Sequence, residues 1–170
     1  MKKILTLITV ILFSFSFSQG KLYIKNYSDY RLEMRISAAS ANNCYPNAIA
    51  SMSFGPHADV EIPDFNSSGP YSTSWAVRFA PTGSPITQTA PSGILSTISP
   101  LTRWNFSDMM TVDPNTNQST GDPRFNMGDP SFITSCGYGD GETYVDGNFT
   151  DAFWFYIASE NATYLVVQPS

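Results

Sequence analysis

The stretch Tyr30–Ser37, YRLEMRIS, alternates strictly. Tyr30, Leu32, Met34 and Ile36 fall on one side of an extended chain, and Arg31, Glu33, Arg35 and Ser37 on the other. Successive side chains of a strand point to opposite faces of its sheet, so this pattern fits a strand with one face in a core and one in water. A helix would scatter the same apolar residues around its circumference. The period of two returns in KLYIKN (Leu22, Ile24), in ADVEI (Ala58, Val60, Ile62) and in SWAVRFA (Trp75, Val77, Phe79). Between the first two strands, NYSD at Asn26–Asp29 reads as a hairpin turn.

The C-terminal end is the clearest hairpin. AFWFYIAS is apolar on both faces, which is the mark of a central strand. Phe153, Phe155 and Ile157 share one face, and Trp154, Tyr156 and Ala158 the other. A turn at Glu160–Asn161 leads back into ATYLVVQ. GILSTIS, LTRWNF and SFITS are further strand candidates, and PNAIASM admits a strand or a short helix. Many short strands with scarcely any helical periodicity predict an all-β fold, an antiparallel β-sandwich with Greek-key or jelly-roll connections. A closed barrel is the alternative. Trp75, Phe79, Phe153 and Phe155 are expected in its core.

Residues 1–18 are expected to lie outside this fold. Lys2 and Lys3 precede the apolar run ILTLITVILFSFSF, and the small residues Ser16 and Ser18 stand where a signal peptidase needs them. That predicts a secretory signal peptide, a single domain over 19–170, and a secreted or periplasmic protein. The full chain has a formal charge of −5; without Lys2 and Lys3 it is −7. This excess of carboxylate argues against a nucleic-acid partner, which needs a basic footprint. It also argues against simple electrostatic docking on anionic lipid. In an exported chain the two cysteines, Cys44 and Cys136, predict a disulfide, which removes a cysteine nucleophile from consideration.

The chemistry-bearing residues gather between 107 and 151, where long polar loops precede the C-terminal hairpin. SCGYGDGETYVDGNFTD, Ser135–Asp151, carries Asp140, Glu142, Asp146, Asn148 and Asp151, a set of oxygens that calcium could use. Asp, Asn and Gly are equally the ordinary residues of turns. The favoured reading is therefore a turn-rich loop tied back by Cys136, with calcium the alternative. DPNTNQSTGDPR, from Asp113, starts like an EF-hand loop but has Gln118 where Gly belongs and Arg124 where Glu belongs. The single histidine, His57, cannot build a usual structural zinc site with two paired cysteines, and no GxSxG motif occurs to join it.

Binding is better supported. Tyr71, Trp104, Tyr138 and Tyr144 are the aromatic residues expected in loops. A ring with a polar handle suits contact with a sugar or a protein. Trp104, Tyr138 and Tyr144, with Asp140, are the candidate ligand-binding residues. The sequence thus predicts an exported, non-enzymatic binding protein that recognises a surface glycan or another protein through 107–151. A lipid-binding or membrane-active sandwich and a carboxylate-pair hydrolase are the alternatives.

Overall fold

The computed structural model describes residues 19–139 and 141–170. The expected leader, residues 1–18, and Asp140 lie outside the described residues. Among these, eleven strands make two sheets that pack face to face. The first has the order β4 (Asp59–Ile62), β1 (Lys21–Asn26), β11 (Ala162–Pro169), β10 (Thr150–Ile157), β9 (Tyr144–Val145). The second has the order β6 (Ile86–Gln88), β5 (Trp75–Arg78), β3 (Asn47–Phe54), β2 (Arg31–Ala39), β7 (Arg103–Val112), β8 (Phe125–Gly128). This is the expected all-β sandwich. One pair departs from antiparallel: β1 runs parallel to β11, with Tyr23 opposite Tyr164.

The alternation of β1 and β2 is realised as read, with Leu22 and Ile24 buried on one strand and Leu32, Met34 and Ile36 on the other. Each such side chain contributes roughly 1.5–3 kcal/mol when fully buried. The two strands do not form a hairpin, however. They belong to different sheets, so Asn26–Asp29 is a corner that carries the chain across the core. Asn26, itself buried, holds that corner. Its Nδ2 donates to Tyr30 O at 2.7 Å and to Gly55 O at 2.9 Å, while its Oδ1 accepts from the Ser28 hydroxyl at 2.7 Å.

The centre of the core is aromatic. Phe65 meets Trp75 and Trp104 edge to face, with ring centroids 4.7 and 5.5 Å apart. The last hairpin turns a different face inward from the one expected. Trp154 and Ala152 are buried, whereas Phe155 is 43 % exposed and Phe153 is partly exposed. Phe79 lies just past the end of β5 and is 51 % exposed. Three of the four expected core rings thus face outward: Phe79 because β5 ends at Arg78, and Phe153 and Phe155 because an apolar stretch with no polar face does not say which side is in.

Two of the strand candidates are helical. GILSTI is helix α1 (Gly93–Ile98), whose Ser92 caps it by accepting the Ile94 N–H. SFITS lies in helix α2 (Pro130–Cys136), capped by Asp129. α2 starts with Pro130 in its first turn, where a missing N–H is harmless, and ends at Gly137 with φ 69°, where glycine avoids the left-handed penalty. LTRWNF does enter β7, and PNAIASM is β3.

The disulfide Cys44–Cys136 is present, with Cα atoms 5.6 Å apart. It ties the end of α2 to the segment entering β3, across a sequence separation of 92. Tyr138, just beyond it, packs on Phe106 of β7 and on Phe132 of α2. The disulfide is a bond of an oxidising compartment. Replacing both cysteines by serine is expected to lower the unfolding free energy by about 4 kcal/mol on the chain-entropy argument. Urea denaturation of the oxidised parent and the double variant checks this; equal midpoints would show that the loop is held by packing alone.

Candidate ligand-binding site

The outer face of the first sheet carries an aromatic ladder. It arises because Tyr23, Tyr164 and Phe155 sit directly opposite one another on β1, β11 and β10. Tyr23 and Tyr164 stack with centroids 4.7 Å apart and planes at 14°. Tyr164 and Phe155 stack at 5.1 Å and 7°. These separations match the spacing of neighbouring strands. Rings so close and so parallel overlap in offset fashion, so an interior ring has both faces covered.

The two ends of the ladder differ. At the β4 end, Lys21 and Lys25 lie over the Tyr23 ring with Nζ 5.9 and 5.7 Å from its centroid. Both lysines are paired with carboxylates of β4, Lys21 with Glu61 at 2.7 Å and Lys25 with Asp59. At the other end, Phe155 is the last ring and is 43 % exposed. β9 covers only Ala152 and Phe153 of its neighbour, and the Trp154 N–H donates to Thr143 O at 2.8 Å. Past that point no strand among the described residues pairs with this edge of β10. The result is a slot of roughly 570 Å³ beside Phe155, lined by Tyr144, Phe153 and Tyr156 and by Asp129 and Pro130 at the start of α2. Tyr144 packs on Phe153 at 4.9 Å and is 45 % exposed.

The polar groups around the slot are arranged. Asp129 accepts from Arg103 at 2.7 Å, and the Arg103 guanidinium lies over the Tyr156 ring at 5.1 Å. The Tyr156 hydroxyl donates to Asn161 Oδ1 at 3.0 Å. Tyr164 O–H donates to Glu160 at 2.6 Å, and that bond above all pushes its pKa up to about 12. Burial, with Asp146 and Asp151 nearby, raises that of Tyr144. Both phenols therefore stay neutral at ordinary pH. The face can offer ring surfaces and hydroxyls to an uncharged ligand.

The residues singled out from the sequence fare differently. Tyr144 is at the slot. Trp104 is not a loop residue: it is in β7, 1 % exposed, with its indole N–H donated to Gly20 O at 2.9 Å. Its ring fills the gap between the sheets, so it cannot meet a ligand at the surface. Tyr138 lies on the outer face of the other sheet, where Asn47 Nδ2 reaches its hydroxyl at 3.2 Å. Asp140 lies outside the described residues. Glu142 bridges β8 through its backbone, with its N–H donated to Asn126 O at 2.9 Å. Asn148 donates to Gly121 O, and Asp151 accepts from the Ser170 hydroxyl. Among the described residues no three Asp, Glu, His or Cys side chains gather as a metal-binding group. His57 is paired with Asp29 at 2.9 Å on the exposed corner. Sequence reasoning misses Tyr23, Tyr164, Phe155 and Phe153; for the residues of β10 and β11 the signal is an apolar outward face on a strand whose other face is also apolar, while Tyr23 stands between two lysines and gives no such signal.

One carboxylate of the polar region has a structural role the sequence did not suggest. Asp122 accepts from the Phe149 N–H at 2.7 Å and from the hydroxyls of Thr150 and Thr111 at 2.8 and 2.9 Å. Gly147 is held against it: a Cβ there would stand 2.9 Å from Asp122 Oδ1 and 2.2 Å from Thr150 O. Burial works against the charge on Asp122, but these hydrogen bonds outweigh it and its pKa is lowered. With the folded pKa below the unfolded value of about 3.9, the stabilisation is complete above that pH and is lost as pH falls through the folded value. Asp122→Asn is expected to cost on the order of 2–3 kcal/mol at neutral pH, with the gap to the parent narrowing in acid. Urea unfolding at neutral pH and near pH 3 checks this; a gap that widens in acid would refute the assignment.

No protein family, curated protein or solved structure matches this chain.

Proposed function

We propose that the protein is an exported binding protein, with residues 1–18 as its leader, that holds a neutral sugar unit of a surface glycan in the slot beside Phe155. The observation that carries this reading is the open end of the ring ladder. A stack of three rings, capped by lysines at one end, stops at Phe155 with room beside it. The apolar C–H face of a sugar ring continues such a stack, as another aromatic ring would. Its hydroxyls would meet Asp129, Tyr144 and Tyr156, and polar groups placed round an apolar floor are what fixes orientation in ligand sites. The disulfide supports the exported reading. No helix of the described residues is long and apolar enough to cross a membrane.

A glycan array probed with chain 19–170 identifies the sugar. Phe155→Ala and Tyr144→Ala are each expected to weaken binding by about tenfold, near 1.4 kcal/mol. Phe79→Ala, which removes an exposed ring far from the slot in sequence and sheet, should change nothing. Glycan binding that survives both slot substitutions would overturn the assignment. Silence on the array with capture of a protein through the same two rings would replace the glycan by a protein partner.

A further inference from the structure

The chain from Gln19 onward has seven lysines and arginines. Lys21, Lys25, Arg31, Arg103 and Arg124 are each ion-paired with an Asp or Glu. Among the described residues Arg35 and Arg78 make no ion pair, although carboxylates outnumber cations two to one. Asp108 is directly opposite Arg35 in the β2–β7 register. Its two oxygens are held by the Arg124 fork, with Nη2 to Oδ2 at 2.9 Å. Among the described residues these two unpaired cations, on β2 and β5 to either side of β3, both line the same cavity on the outer face of the second sheet.

That cavity has a volume of roughly 340 Å³. Its floor is Ile49 and Ala76, which face each other on β3 and β5. The disulfide, Tyr45 and Tyr138 form a wall that the fold pins in place. Asn47, opposite Arg78, is 7 % exposed. It spends one amide atom on the Tyr138 hydroxyl, and its Oδ1 has no hydrogen-bond partner. An unsatisfied buried polar atom costs about 1–3 kcal/mol. Turning the amide over would only exchange which atom is unpaired. A sugar hydroxyl both donates and accepts, so it satisfies either orientation.

We propose that this cavity is a second ligand site, for a carboxylate-bearing sugar unit of the hexuronate class. Guanidinium groups match a carboxylate through paired N–H donors, and such charged bonds are about twice as strong as neutral ones. The carboxylate sits between Arg35 and Arg78, the C–H face of the ring lies on Ile49 and Ala76, and a hydroxyl reaches Asn47. The site is independent of the slot beside Phe155, which is on the other sheet.

Calorimetry of the disulfide-intact chain 19–170 with a galacturonate trisaccharide and with its methyl ester tests this. The acid is expected to bind and the ester to bind at least tenfold more weakly. Arg35→Ala and Arg78→Ala should each weaken the acid by about tenfold or more, while Phe155→Ala leaves it unchanged. Arg35→Gln and Arg78→Gln, with thermal midpoints equal to the parent, guard against misfolding and should show the same loss. No saturable heat up to millimolar acid, equal binding of the ester, or binding indifferent to both arginines would each overturn the proposal. So would preferential binding of a peptide with a free C-terminal carboxylate.

Discussion

Three tryptophans are buried between the sheets, and the two most enclosed, Trp75 and Trp104, must each give the indole N–H to an acceptor that water cannot supply. A buried indole without a partner forfeits much of what its ring contributes. Trp75 solves this within its neighbourhood: its N–H goes to the Ser68 hydroxyl at 2.8 Å, and that hydroxyl donates to Phe65 O at 2.6 Å. Phe65 is thereby fixed against both indoles. Trp104 solves it at long range, through Gly20 O at the start of β1. That bond brings the N-terminal segment over the core. Gly20 takes φ +79° there, and a Cβ would stand 2.4 Å from Asn161 O, so the position suits glycine. From this anchor β1 runs beside β11 in parallel, with Lys21 N–H donated to Asn161 O at 2.9 Å. The indole bond joins the β1–β11 and β1–β4 ladders and the burial of Leu22 and Ile24 in holding this parallel pair in place.

The same strand that carries Trp104 also creates the asymmetry between the two outer faces. The register of β2 with β7 slips between Ser37 and Ala38, leaving Asn105 as the extra residue. Bulges re-aim side chains and bend a strand. Here Asn105 O accepts the Asp129 N–H at 3.1 Å, at the cap of α2, and Ser37 donates to Asn105 Oδ1 at 2.6 Å. α2 therefore settles on the second sheet, with Gly128 leaving room for it: a Cβ there would lie 2.8 Å from Ile133 Cδ1. The disulfide then holds the far end of α2. The second sheet is left with a walled cavity, and the first with a flat face whose relief is the ring ladder.

Most of the strands were legible, because half-buried strands write their alternation in the residues themselves. Leu22, Ile24, Leu32, Met34 and Ile36 are buried where the pattern put them. Partners were not legible: NYSD looks like a hairpin turn whether the chain pairs with itself or crosses the core. Nor was the inward face of β10, since both faces are apolar and it is Thr150, Ala152 and Trp154 that turn in. The cysteine pair needed no geometry. The two short helices were legible in principle. Ser92 before GILSTI, and Asp129-Pro130 with Gly137 closing SFITSC, are cap signals that outweigh the apolar content between them. The aromatic site was hidden because Tyr23, Tyr164, Phe155 and Tyr144 stand on four strands. Nothing local in the sequence joins residues that the sheet order brings together.

The two outer faces can divide labour because the core isolates them. Sheets in a sandwich stand about 10 Å apart, and side chains on each outer face add to that thickness. The Debye length at physiological salt is about 8 Å, so the arginines beside the disulfide do not charge the ring ladder on the opposite side. Local pairing reinforces this. On the first sheet each exposed lysine at the ladder is matched by a β4 carboxylate, so the strip beside Tyr23 is electrically quiet. On the second sheet Asp108 is turned to Arg124, and Arg35 is left with its charge. A chain with twice as many carboxylates as cations could have neutralised both arginines. Instead, among the described residues, the ion pairs leave the uncompensated positive charge in one walled cavity and keep it from the aromatic face. A glycan with neutral and acidic units could be met on both faces only by two separate segments, since a single sugar cannot span the sandwich.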